Sequence, residues 1–139
     1  MRTETNRQYA YFALYGDFAP DTITTQLGIN PSESWRKGDL HPRRQYERKQ
    51  SHWSLYSRLD ENAVLEQHVI DVLEQLDAKP DIVQELCTMY QGCMQLVGFF
   101  HDNYPGLRLE QEHIKRIAEF GLMMDVDFYA LWSDARDAT

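Results

Sequence analysis

The feature that most limits the fold of this chain is a series of four β-rich stretches separated by stretches with helical periodicity. The predicted strands are residues 8–16, 51–58, 94–100 and 122–131. Each is short and rich in aromatic or branched side chains, as strands are. A fifth, shorter strand is expected around Ser34 to Lys37. The chain therefore requires at least one sheet.

The first stretch shows on which sides the sheet is apolar. Tyr9, Tyr11 and Tyr15 alternate with Phe12 and Leu14, so the two sets lie on opposite faces of a strand. Both sets are largely apolar, which is typical of a strand with a layer packed on each face. We therefore expect a central strand that is covered on both sides.

Helices are predicted between these strands, at about 20–27, 63–76, 80–90 and 109–120. Pro20 and Pro80 suit the first turn of a helix, and Gly28 and Gly121 suit the residue after the last turn. The second helix has an apolar stripe over three turns, with Leu73 in its middle. Each helix therefore has one face to bury.

Together these elements predict an α+β fold, a single sheet with helices packed on it. The order strand, helix, hairpin, strand, helix, strand allows a ferredoxin-like core with an extra helix and strand. The pattern leaves parallel and antiparallel pairing open. With 139 residues, of which 42% are hydrophobic, the chain suits one α+β domain spanning 1–139 with an ordered core of about 8–132.

A basic segment stands out in a chain with a formal net charge of −8. Of 14 cations and 22 acids, six cations and two acids lie in residues 36–49, so the remainder has a formal charge of −12. This segment lies in a polar stretch, 30–50, that contains Pro31, Gly38 and Pro42. We interpret 30–50 as a long loop, and loops of that length in small domains are usually functional or mobile.

Several short motifs spread over about Tyr9 to Tyr129 resemble one known family. They are Gly16-Asp17 with Pro20 and Ile23, Leu27-Gly28-Ile29-x-Pro31, Trp35-x-Lys37-Gly38-Asp39, Trp53-x-Leu55, the Leu65/His68/Leu73 helix pattern, and Gly121 with Asp127-x-Tyr129. This set resembles the largely bacterial family catalogued as domain of unknown function 4279. The resemblance implies a shared fold and no established reaction or ligand. Some relatives occur in settings that suggest toxin-immunity roles, which hints at protein binding.

The segment Trp35-Arg36-Lys37-Gly38-Asp39 is a candidate recognition loop. Trp35 offers stacking area, and Arg36 offers a planar fork for a carboxylate or phosphate. The structural alternative is that Trp35 caps the edge of the core and Lys37 pairs with Asp39 or another acid, while Gly38 forms a turn. The sequence leaves both open and favours the structural one.

Nucleic acid is a disfavoured partner, although the basic segment contains Arg43, Arg44, Arg48 and Lys49. Tyr46 and Trp53 could provide stacking surfaces for bases, and His41 lies beside the cations. The acidic remainder of the chain opposes phosphate binding, and the sequence has no zinc-finger or RNP motif. A solvated loop is the simpler interpretation.

Catalytic and metal sites have little support. Asp125 and Asp127 lie on one face of the last predicted strand, but two carboxylates alone rarely hold a hydrated cation. We favour a structural role for Asp127, hydrogen-bonded to the backbone or paired with an arginine from 36–49. His68 lies inside an apolar stripe, where a core histidine is commoner than a ligand. Triad, phosphate-binding and zinc-protease motifs are absent from the sequence, so we expect no cofactor, no metal and no catalytic residue.

These observations predict a non-catalytic protein-binding module, immunity-like in its mode of action, whose basic loop meets an acidic partner surface. The candidate binding residues are Trp35, Arg36, Lys37, Asp39, Arg43, Arg44, Trp53 and Asp127. The alternative is a small-molecule or anion-binding protein, or an enzyme, with a site between loop 31–50 and Asp127.

The sequence also bears on location. No apolar run reaches the ~20 residues of a membrane span, and the first residues lack a signal-peptide pattern. Cys87 and Cys93 suit free thiols. A cytoplasmic location is therefore expected.

Overall fold

A computed structural model of the chain, which describes residues 5–132, contains a five-stranded sheet and four helices. In chain order the elements are β1 (Arg7–Gly16), α1 (Pro20–Leu27), β2 (Glu33–Trp35), β3 (Ser51–Tyr56), α2 (Leu65–Leu76), α3 (Pro80–Met89), β4 (Gln91–Phe100), α4 (Gln111–Phe120) and β5 (Met123–Ala130). This confirms the predicted α+β class.

The strand order across the sheet is β2-β3-β1-β4-β5. Neighbours pair antiparallel from β2 to β4, and β5 adds to β4 as a parallel strand. The first four strands therefore have the order and directions of a ferredoxin-like core, and α4 with β5 is the added unit. Helix α4 makes the crossover that a parallel pair requires. Strands β2 and β5 are the two edges of the sheet.

One hydrophobic core lies between the helices and one face of the sheet. The largest fully buried side chains include Trp53, Phe12, Phe100 and Phe120, which come from three strands and a helix. Leu73 is 4% exposed in the same cluster, as its place in the α2 stripe predicts. No helix among residues 5–132 combines the length and the apolar character needed to cross a membrane.

The second face of the sheet differs from the sequence expectation. In the described chain the helices pack only on the face that bears Phe12 and Leu14, and their buried residues form one cluster with it. The face that bears Tyr9, Tyr11 and Tyr15 has no helix on it, and these side chains are partly exposed. Tyrosine alternation does not distinguish a buried face from an open one, because a tyrosine ring packs on its neighbours while its hydroxyl stays in water. We call this face the open face.

The boundaries of β3 and β4 also differ from those predicted from the sequence. Strand β4 begins at Gln91 rather than at residue 94, because α3 ends at Met89 and Tyr90 is already extended. The helix therefore passes into the strand without a loop. Strand β3 ends at Tyr56 rather than at residue 58, and the side chain of Arg58 turns to Asp71 of α2, with a 2.7 Å contact between Nη2 and Oδ1.

Replacing Gly28 by alanine should cost about 1 kcal/mol of unfolding free energy. Gly28 ends α1 in the left-handed conformation, with a φ of 69°, which costs a residue with a Cβ about 1–2 kcal/mol. An added Cβ would meet only the flexible end of Lys79, so strain rather than collision sets the loss. Urea denaturation of the variant measures it, and an unchanged midpoint would contradict the assignment.

Candidate binding site

Residues 36–49 form a hairpin-like projection rather than the irregular loop expected from the sequence. We call this segment the basic hairpin. Its two arms are joined by backbone hydrogen bonds, including Gly38 N–H to Arg48 O at 2.8 Å and Arg48 N–H to Asp39 O at 2.7 Å. A bridge between Leu40 and Glu47 extends the pairing. The segment is therefore a defined extension of the β2–β3 edge.

The turn at the base of the hairpin explains two of the predicted site residues, Lys37 and Asp39, together with Gly38 between them. Asp39 accepts a hydrogen bond at 2.9 Å from the backbone N–H of Arg36. Gly38 adopts a φ of 93°, a left-handed conformation that favours glycine. Lys37 binds Ser51 Oγ through its backbone N–H and lies 3.6 Å from Asp17 through its Nζ. Asp39, Gly38 and Lys37 thus shape the hairpin, as the structural alternative proposed.

Five of the six cations of the hairpin have no acidic partner among the described residues, and four of these five are exposed. Among residues 5–132, none of these five cations forms an ion pair with a described acid; they are Arg36, Arg43, Arg44, Arg48 and Lys49. Arg43 and Arg44 bind the His41 ring nitrogen through their backbone N–H groups, at 3.1 Å each. Their side chains are exposed. The hairpin therefore presents uncompensated positive charge on an acidic protein.

An aromatic stack at the root of the hairpin holds one of these cations. The Arg48 guanidinium lies 3.8 Å from the centre of the Trp35 ring. The Trp35 ring stacks on His52, with ring centroids 4.1 Å apart and planes inclined by 12°. The Tyr15 ring follows, 5.0 Å from His52. Register explains the row, because Trp35 pairs with His52 and His52 pairs with Tyr15 across β2, β3 and β1.

A cleft of about 520 Å³ opens beside this stack. It is lined by Tyr15, Trp35, Tyr46, Arg48, Lys49 and Gln50. The Trp35 indole N–H donates to the Gln50 carbonyl at 3.1 Å, which fixes the ring as a wall of the cleft. Its volume lies in the roughly 300–1,000 Å³ range of small-molecule sites. Aromatic walls and two cations in one concavity suit an anionic group joined to an apolar one.

The pKa of His52 is lowered to about 4, first because the ring is buried and second because the positive charge of Arg48 is close. His52 is only 4% exposed, and its Nδ1 has no hydrogen-bond partner among the described residues. The ring is therefore neutral near pH 7 and stacks as an aromatic surface. On the same open face, burial raises the pKa of Tyr56 to about 12 and also raises that of Tyr11, so both hydroxyls stay protonated.

The structure separates Asp127 from the hairpin. Asp127 lies on β5, at the edge opposite β2, so four strand spacings or roughly 19 Å separate their strands at 4.7–4.9 Å each. Its Oδ2 accepts a hydrogen bond at 3.1 Å from the side-chain Nε2 of Gln95, rather than from the backbone or from an arginine of 36–49 as expected. A site that joins loop 31–50 to Asp127 does not form in this fold.

Trp53 also lies away from the cleft. It is 0% exposed, on the helix-covered face of β3, and its indole N–H donates to Thr24 Oγ1 at 3.0 Å. It cannot stack on a partner without unfolding the core. His52, the residue before it, occupies the open face instead, because neighbouring residues of a strand point to opposite sides. The contribution of Trp53 is to the core.

Metal binding and thiol chemistry depend on the histidines, cysteines and acids of residues 5–132. No group of three or more His, Cys, Asp or Glu side chains there is placed to hold a metal ion. Cys87 and Cys93 are free, and burial raises the pKa of each thiol to about 11, which makes them poor nucleophiles. His68 is buried, with Nδ1 2.7 Å from Ser57 Oγ, and it joins α2 to the end of β3 as a core histidine.

Of the six residues that line the cleft, only Trp35 was among the predicted binding residues. Sequence reasoning missed Tyr15, His52 and Gln50 altogether. Alternation along β1 and β3 assigned the first two to a face, but only the pairing register brings them to Trp35. Gln50 carries no chemical signal, since its contribution is a backbone carbonyl. By contrast, Trp35, Arg48 and Lys49 are close along the chain and were visible as a basic, aromatic segment.

Comparison with known proteins gives a family and no function. The model of the family described as Domain of unknown function (DUF4279) matches residues 3–131. No curated protein and no solved structure matches the chain. The geometry of the site therefore has to carry the functional argument.

Proposed function

Because this chain belongs to the DUF4279 family, whose description assigns no activity, we propose from its site that it is a non-catalytic protein-binding module. The proposed partner presents an acidic surface to the basic hairpin. An immunity-like role, in which a small bacterial protein of the cytoplasm neutralises another protein by binding it, is the form of the proposal that the family resemblance favours.

One observation carries the proposal: five cations that have no acidic partner among residues 5–132 lie together on a chain whose remainder is strongly acidic. Elsewhere in the described chain, cations such as Arg58, Arg108 and Arg116 have carboxylates within 4 Å. Charge concentrated on one projection steers an oppositely charged protein to that side and disfavours contact elsewhere. The adjoining aromatic cleft supplies the apolar contact that stable interfaces need near their centre.

Replacing Arg43 and Arg44 by glutamine should reduce capture of the partner while leaving stability within about 1 kcal/mol, because exposed charges contribute little to folding. Affinity capture with the wild type, followed by mass spectrometric identification, would supply the partner. Titration of that purified partner against both proteins, by calorimetry, then measures the loss. The loss should be larger at low salt, where screening is weaker.

A matched control removes two exposed cations from the other side of the molecule. Arg108→Gln with Lys115→Gln makes the same change of charge around α4, away from the hairpin. This variant should bind the partner as the wild type does. Equal losses in both variants would indicate a general charge effect, and no loss in either would remove the hairpin as a binding surface.

A further inference from the structure

The most unusual local arrangement in the described chain is the stack of Arg48, Trp35, His52 and Tyr15. A guanidinium packed face-on against an indole keeps its edge free for hydrogen bonding, and the stacking reduces its freedom. Here the 3.8 Å approach of Arg48 to Trp35 fixes the cation at the wall of the cleft. Arg48 is therefore half-buried and packed on a ring, whereas Arg43 and Arg44 at the other end of the hairpin are exposed.

Two polar atoms in this stack are buried without a hydrogen-bond partner in the described chain. They are Arg48 Nε and His52 Nδ1, and the only other such side-chain atom there is Nε2 of His68, a residue of α2. Buried polar atoms in folded proteins are bonded in the great majority of cases. A guanidinium that has neither a carboxylate nor a full set of hydrogen bonds favours binding of an anion.

The remaining lining of the cleft defines what that anion is attached to. Tyr15, Trp35 and Tyr46 supply three aromatic rings, and Lys49 supplies a second cation. The lining contains no carboxylate. The two acids of the hairpin both lie outside it: Asp39 accepts a hydrogen bond from the Arg36 backbone, and Glu47 does not line the cleft. Flat aromatic walls favour a planar apolar group, because rings pack in offset or edge-on pairs.

We propose that this cleft binds an aromatic carboxylate, with the carboxylate on Arg48 and the ring between the aromatic walls. The inference deepens the proposed function and rests on it: the acidic partner would present a carboxylate next to an aromatic ring. A free aromatic acid has the same chemistry, so the two sources need to be separated by experiment.

Benzoate is the direct probe, with its binding followed through the Trp35 indole N–H signal in NMR spectra of the intact protein. Benzyl alcohol keeps the ring without the charge, acetate keeps the charge without the ring, and inorganic phosphate tests for a general anion site. We expect benzoate to bind at least about 10-fold more tightly than any of the three, a difference of about 1.4 kcal/mol. Benzyl alcohol or phosphate binding as tightly as benzoate would overturn the proposal.

Arg48→Gln should weaken benzoate binding by at least about 10-fold, which is about 1.4 kcal/mol. Arg108→Gln is the matched control, since it removes the same charge from an exposed residue just before α4, away from the hairpin, and its affinity should stay unchanged. Circular dichroism and thermal melting establish that both variants are folded. Equal losses in the two variants would mean that benzoate senses only the net charge of the protein, and the proposal would fail.

Two peptides distinguish the sources of the ligand. A peptide that ends in phenylalanine with a free carboxylate, and a peptide with an internal Asp-Phe pair and blocked ends, should each compete with benzoate if a protein segment is the ligand. Competition by neither, while benzoate still binds, would assign the cleft to a free small molecule. Capture that depends on Arg43 and Arg44 without any benzoate binding would sink this inference and leave the proposed function standing.

Discussion

Trp53→Ala should lower the free energy of unfolding by about 3–5 kcal/mol, the usual cost of truncating a buried tryptophan. Trp53 is 0% exposed at the centre of β3, and the ring of Phe12 lies edge-on to it at 6.0 Å. Its indole N–H also holds α1 through Thr24. The substitution therefore opens a cavity and removes the bond between the sheet and that helix.

Trp35→Ala is the matched control for this measurement, since it removes the same side chain from the neighbouring strand. Trp35 is only partly buried, so its loss should be clearly smaller. Urea denaturation followed by circular dichroism compares the two without relying on tryptophan fluorescence. Equal losses, or a loss of less than about 1 kcal/mol for Trp53→Ala, would show that the two faces of β3 have been exchanged.

The contrast between these two tryptophans shows what the sequence could predict. Alternation in Ser51–Tyr56 places Trp53 with Leu55 on one face, and the helical stripes place Leu73 inward, because these patterns are local. Whether a tryptophan in a strand lies in the core or on a surface depends on which face the helices cover. That choice is a property of the assembled sheet, and no local pattern in β1 indicates it.

The candidate site divides in the same way. The hairpin cations and Trp35 are close along the chain, so the sequence located them together. Tyr15 and His52 join them only through strand register, and register between distant strands is not encoded in any single stretch. Asp127 is the opposite case. A family motif made it a candidate site residue, but the strand order places it on β5, at the edge of the sheet opposite β2 and the hairpin.

Acidification should destabilise the protein through His52. The folded pKa of about 4 lies below the ordinary value near 6.5, first because the ring is buried and second because Arg48 is close. Between pH 6.5 and about 4, the unfolded chain therefore binds a proton at His52 that the folded chain does not bind. The stability that the neutral ring contributes is complete above pH 6.5 and is lost progressively as the pH falls to about 4. At 1.36 kcal/mol per unit, the loss from this residue is about 2–3 kcal/mol.

His52→Gln isolates that loss, because all other titrating groups are common to both proteins. The difference in unfolding free energy between the wild type and the variant should shrink by about 2–3 kcal/mol between pH 7 and pH 4. A difference that stays constant over this range would contradict the depressed pKa. NMR titration of the His52 ring protons gives the folded pKa directly.

Arg48→Gln separates the two causes of the His52 pKa. Removing the cation should raise the pKa of His52, while burial keeps it below its ordinary value. A variant in which the pKa does not move would mean that the guanidinium does not act on the ring, although both contact Trp35. The same substitution tests benzoate binding. One variant therefore reports both the effect of Arg48 on the pKa of His52 and its effect on benzoate affinity. If the pKa of His52 rises and benzoate binding is lost together, the positioned guanidinium is the common cause.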